Sequence, residues 1–225
     1  MHGIQFKSNP KNPTVYYQSS SPSDTFMSKY AGRLQNKNIA LVGLGGGAML
    51  CYGTDGQNWD VFDVDPYIFE VAGHKGSAFT YFDLCTPNAH EFIGDGRIEM
   101  SKQPNEKYDL IIIDVFHGFS VPVHLITREA FQIYLDKLSP NGVLLIHMNT
   151  MGMDLMPIIS AHVFNTKTYA KYMRPNLIED SGMIQTWMAV SKTPLDLLPG
   201  WFTVPMDKQI NWTDDFSPIW PILIF

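Results

Sequence analysis

The sequence predicts an α/β protein built on a doubly wound, seven-stranded and mostly parallel sheet, preceded by a short N-terminal β-hairpin. Three observations carry that expectation. Residues 38–66 read as strand, glycine turn, helix, strand and acid. Leu110, Ile111, Ile112 and Ile113 form an unbroken apolar run between Asp109 and Asp114, as a strand buried on both faces does. Strand-like and helix-like segments then alternate to the end of the chain, the pattern of right-handed β-α-β crossovers.

The glycine turn comes first because its spacing has chemical content. Ile39 to Val42 lead into Gly43, Leu44, Gly45, Gly46 and Gly47, followed by helix-permissive Ala48, Met49 and Leu50. Glycines at the mouth of a parallel strand let the backbone approach a ligand, and the N–H groups of a following helix face an electron-rich group. Asp63, 20 residues after Gly43, falls at the tip of the next strand, where it can accept both hydroxyls of a ribose. The implied ligand is an adenosine-type nucleotide. A dinucleotide such as NAD and S-adenosylmethionine or a relative both fit, and the triple glycine with a second acidic loop favours the latter.

In chain order, residues 3–7 and 14–17 are β-prone and separated by a turn-forming stretch, which predicts the hairpin over 1–22 and one nucleotide-binding α/β domain over 23–225. Serines at 19–23 and Asp24 offer caps for a helix over 24–35. Pro66 starts a helix continuing through Ala72. Residues 74–90 give no clear pattern. A strand over 91–93 ends at Gly94, Asp95 and Gly96, and the strand over 108–114 is expected at the centre of the sheet. Ala130, Phe131, Tyr134, Leu135 and Leu138 keep helical spacing after Thr127, with 139–142 as the stop. A strand over 143–148, a helix over 153–163 and paired strands over 167–173 and 184–191 complete the domain.

Composition bounds the function. The 225 residues are 45% hydrophobic and 17% charged, ordinary for a globular domain. A formal charge of −6 excludes a broad nucleic-acid surface, which needs a basic face. No apolar run approaches the ~18 residues of a membrane span, and no signal-type core opens the chain, so a soluble cytoplasmic protein is expected. With two cysteines, Cys51 and Cys85, a reducing compartment without disulfides is expected. The seven histidines show no metal-ligand spacing, and no metal is expected.

In an open α/β sheet, ligands bind beyond the carboxyl ends of the strands. That selects the loops at 43–47, 63–66, 94–96 and 114–120. Asp95 can accept from an adenine amino group. Asp114, ending the central strand with His117 three residues on, can orient or deprotonate an attacking amine. His117 reads equally as a solvent-facing loop residue, and His147, at the end of a strand, reads as structural.

These motifs resemble the spermidine synthase family, the aminopropyltransferases of the class I methyltransferase fold. Leu41 to Gly47 resemble its glycine loop, with Gly43, Gly45, Gly46 and Gly47 implied as nucleotide-binding. Phe62, Asp63, Val64 and Asp65 resemble the acidic motif whose residue matching Asp63 holds the ribose. Asp95 and Gly96 resemble the adenine loop. The residue matching Asp114 assists the attacking amine, and Tyr17 with Gln18 fits the pair placed over the active site. Residues 2–5, 13–17, 114–118, 122–129 and 212–217 are closer to a branch often fused to a membrane transporter. The resemblance implies homo-oligomers.

It also shows two departures. His117 stands where synthases carry a second aspartate, and Ser19 where they carry a glutamate; both lost acids resemble those that hold the diamine's ammonium groups. Three functions therefore compete. One transfers an aminopropyl-type group from decarboxylated S-adenosylmethionine, or S-adenosylmethionine, to a small amine, releasing methylthioadenosine. The second is a small-molecule methyltransferase using the same pocket, and the third a nucleotide-binding module without catalysis.

Overall fold

The computed structural model describes residues 3–73, 78–115, 122–148, 152–174, 185–195 and 200–224. Its strands are β1 (Asn38–Val42), β2 (Asn58–Asp63), β3 (His90–Ile93), β4 (Tyr108–Ile113), β5 (Leu138–His147), β6 (Tyr169–Met173), β7 (Trp187–Ser191) and β8 (Phe202–Thr203). They form one sheet in the order β3-β2-β1-β4-β5-β7-β6-β8. Pairing is parallel from β3 through β5 and antiparallel from β5 to β8. Strand order reverses between β1 and β4, so the crevice for a ligand opens above those two strands.

The helices are α1 (Pro22–Tyr30), α2 (Pro66–Gly73), α3 (Tyr81–Cys85), α4 (Gly96–Ser101), α5 (Arg128–Lys137) and α6 (Met156–Thr166). They cover both faces of the sheet. Leu110 and Ile112 of β4 point into a core with Phe26 of α1, Phe69 of α2 and Phe82 of α3. Ile111 and Ile113 point into the opposite core with Met100 of α4, Phe131 of α5 and Ile158 of α6. This two-sided burial is why β4 has no polar alternation. Helix starts follow their side chains: Ser21 accepts from Asp24 N at 3.1 Å, and Thr127 from Ala130 N at 3.3 Å.

Several expectations change. Residues 3–22 contain no strand: turns lead to a short 3₁₀ turn at Val15–Tyr17. Side chains divert this backbone from pairing with itself. Tyr81 Oη donates to Ile4 O at 2.9 Å, Thr80 N donates to Gln5 Oε1 at 3.0 Å, and Gln5 Nε2 donates to Pro10 O at 2.7 Å. Pro10 and Pro13 also lack the N–H a ladder needs.

The glycine turn is followed not by an α-helix but by one 3₁₀ stretch, Ala48–Tyr52. Strand β5 begins at Leu138, five residues before its expected start, with a register shift between Tyr108 and Leu110 absorbing the extra length. The eighth strand, β8, is only two residues long and was not expected.

Cys51 and Cys85 are bonded to each other, with Cα atoms 4.8 Å apart, against the expectation of two thiols. Packing of the 3₁₀ stretch on α3 brings them within reach, which their separation of 34 residues does not reveal. Among the described residues, no helix is long and apolar enough to cross a membrane.

The segments 122–129 and 212–217 meet. Arg128 N donates to Trp212 O at 2.8 Å, Thr127 Oγ1 donates to Asp214 Oδ1 at 2.8 Å, and Arg97 forms a two-pronged pair with Asp214 at 2.7 Å on each arm. That guanidinium holds the Asp214 carboxyl down at about 2.

Candidate active site

Register places the site. Val42 pairs with Phe62 on one side and Ile113 on the other, so Gly43, Asp63 and Asp114 lie at one level at adjoining strand tips. Gly43 N donates to Phe62 O and Asp114 N to Val42 O, both at 2.8 Å. Gly43 has φ +91°, and a Cβ there would collide with the Asp114 carbonyl oxygen. Only glycine fits.

Above these tips lies a cavity of about 1050 Å³. Small-molecule pockets span roughly 300–1000 Å³, so this one lies at the large end of that range.

On the β1–β3 side, acids are aimed by backbone. Asp63 accepts from Leu44 N at 2.9 Å through Oδ2 and from Asp65 N at 3.1 Å through Oδ1, tying the glycine turn to its own loop. Asp95 caps α4 by accepting from Ile98 N at 2.9 Å, and its other oxygen meets His124 Nε2 at 2.7 Å. Partial burial raises the Asp95 pKa, but the Ile98 N–H and the His124 imidazole outweigh it and the net shift is downward.

Of the expected nucleotide residues, Gly43, Gly45, Gly46, Asp63, Val64, Asp95 and Gly96 line the cavity. Gly47 and Gln18 are not among the lining residues. Gly47, at φ +83°, packs against Ala72 and Tyr81, while Gln18 is exposed and uses its carbonyl to accept from Ser21 N. His117 lies outside the described residues.

Asp114 stands at the middle of the cavity with a donor on each oxygen. Tyr17 Oη donates to Oδ2 at 2.5 Å, and His147 Nδ1 meets Oδ1 at 2.7 Å. Burial above all, then the neighbouring Asp114 charge, pushes the Tyr17 phenol well up, so it stays protonated and donates. Tyr52 Oη fixes the Tyr17 backbone by donating to its carbonyl at 2.5 Å.

His147, expected as a structural residue, lines the cavity and meets Asp114. A signal existed: Ile113 pairs with Ile146, so the residues that follow, Asp114 and His147, must lie side by side. Beyond them the far wall is mostly apolar, with Met148, Met153, Leu155 and Tyr172, and carries Asp154 and Arg174 as its charged members.

The fold is an α/β fold of the class I methyltransferase type, as in solved spermidine synthases. No protein-family model matches the chain. It resembles a probable spermidine synthase from Corynebacterium glutamicum, with TM-score 0.61, 18% identity and 87% of this chain against 67% of that one. A Thermotoga maritima spermidine synthase gives 0.56, 19%, 91% and 70%. A spermidine synthase solved with the transition-state analogue AdoDATO gives 0.52, 22%, 81% and 60%. Among curated proteins, a polyamine aminopropyltransferase of Vibrio vulnificus is 32% identical over 122 residues, 51% of this chain and 39% of that protein. A probable polyamine aminopropyl transferase of Bifidobacterium longum is 29% identical over 58 residues, 26% of this chain and 13% of its own length. The matches thus span well under two thirds of those curated relatives.

Proposed function

We propose that the chain is an aminopropyltransferase-like enzyme. The observation that supports this best is Asp114, held by Tyr17 at the junction between a nucleotide-type wall and a second lobe. In this reading decarboxylated S-adenosylmethionine lies over the β1–β3 tips with its ribose on Asp63 and its adenine near Asp95. A small amine enters the far lobe with its nitrogen at Asp114. Its lone pair attacks the carbon beside the sulfonium, the C–N bond forms as the C–S bond breaks, and sulfur leaves with the electron pair as methylthioadenosine. The nitrogen sheds a proton towards Asp114.

The acceptor is less cationic than a diamine. A second ammonium needs its own carboxylate, and leaving it unpaired in a closed pocket costs several kcal/mol. With His117 and Ser19 in place of two acids, putrescine should be a weak acceptor that His117→Asp improves. The kinship of 122–129 and 212–217 to the transporter-fused branch, and a homo-oligomeric state, belong to the same proposal. A cytoplasmic location would keep Cys51 and Cys85 as thiols, so the thiol content of freshly isolated protein tests the compartment.

The deciding assay offers decarboxylated and carboxylated S-adenosylmethionine separately, each with a panel of amines and hydroxylated compounds. Methylthioadenosine release from the decarboxylated form supports the proposal. Adenosylhomocysteine as the product makes the chain a methyltransferase, and binding without turnover makes it a nucleotide-binding module.

A further inference from the structure

We propose that His147 is a positioning residue that aims Asp114 at the acceptor. This builds on the aminopropyltransferase reading of the site. The two side chains stand at adjoining strand tips because Ile113 and Ile146 pair, and Nδ1 lies 2.7 Å from Oδ1. The imidazole is held by its neighbours: it stacks on Trp187 with centroids 4.5 Å apart and planes at 4°, and the Tyr16 ring lies tilted against it with centroids 6.0 Å apart. Its side chain is 8% exposed and that of Asp114 10%.

The geometry restricts what Asp114 can do alone. One oxygen is occupied by Tyr17 and the other by His147, so the carboxylate cannot swing to follow a substrate. It presents one fixed direction to the cavity, and a misplacement of 1 Å at such a group can cost about 10²-fold in rate.

Two variants test the aim. His147→Gln keeps a donor for Oδ1 and should retain kcat within roughly tenfold. His147→Ala loses the donor and should lower kcat by up to about 10²-fold, with the KM for the nucleotide unchanged. A His147→Gln enzyme no better than His147→Ala, or a fully active His147→Ala enzyme, overturns the inference. Nitrogen-15 NMR of the His147 ring supplies a readout that needs no turnover. Asp114→Asn should move the Nδ1 resonance, because the ring loses its carboxylate partner, and an unmoved resonance overturns the pairing. Wild-type protein that releases no methylthioadenosine would count against the transferase reading alone, leaving the NMR test to judge the pair.

Discussion

The two acids at the strand tips beside Gly43 are held in opposite ways. Asp63 places its oxygens on backbone N–H groups 19 and 2 residues away, Leu44 and Asp65. Asp114 places its oxygens on side chains 97 and 33 residues away, Tyr17 and His147. Backbone donors exist whatever the neighbouring residue is, so this wall of the cavity depends on the acid and the turn. Side-chain donors can each be exchanged, which makes the junction the place where one fold can be retuned to a new acceptor.

The largest expected effect is on turnover at the junction. Asp114→Asn should lower kcat by about 10²- to 10⁴-fold, roughly 3 to 5 kcal/mol, with methylthioadenosine affinity by calorimetry nearly unchanged. An equal loss of nucleotide binding would erase the division between the two acids.

Next is the bond between Cys51 and Cys85, which joins the stretch after the glycine turn to α3, both on the nucleotide side. Closing a loop over a separation of 34 residues is worth about 3 to 4 kcal/mol in the chain-entropy picture. Paired Cys51→Ser and Cys85→Ser substitutions should lower the denaturation midpoint accordingly. They should weaken nucleotide binding while sparing kcat at saturating nucleotide, which sharpens the comparison; a change confined to kcat would contradict it.

Asp63→Ala removes both loop contacts and a ribose partner. Bonds to a charged group are worth about 1.5 to 3 kcal/mol each, so nucleotide affinity should fall tens-fold or more. Unchanged affinity for methylthioadenosine would take Asp63 out of the site.

The smallest effect concerns the Arg97–Asp214 pair, outside both halves of the comparison. The Asp214 carboxyl titrates at about 2 in the folded chain and near 3.9 when unfolded. A depressed folded value means that its stabilisation is present above about 3.9 and lost as pH falls through about 2. The pair is partly exposed, so Asp214→Asn should cost under about 1 kcal/mol at pH 7, a Tm change of roughly 2–4 °C. It should also flatten the stability curve between pH 4 and 2, with nucleotide binding unaltered.

How far the site could be read follows the same division. The strand-tip positions of Asp63, Asp95 and the glycine turn were legible because their spacing reflects a fixed piece of β-turn-β geometry. Tyr17 was legible only through resemblance, since nothing within residues 3–22 indicates that its hydroxyl reaches Asp114. The Asp114–His147 contact was not legible, because an apolar strand ending in histidine looks the same whether or not an acid ends the neighbouring strand.

By itself the sequence determined the sheet's character, through one strand with no polar alternation, and the cavity wall over β1 and β2, through glycines and an acid at fixed separation. Both are properties of local segments. Tertiary structure alone decided the docking of residues 3–21 on α3, the Cys51–Cys85 bond, the early start of β5 and the Tyr17–Asp114–His147 cluster. Each of these joins segments distant in sequence, and only strand register and helix packing fix which side chains then meet.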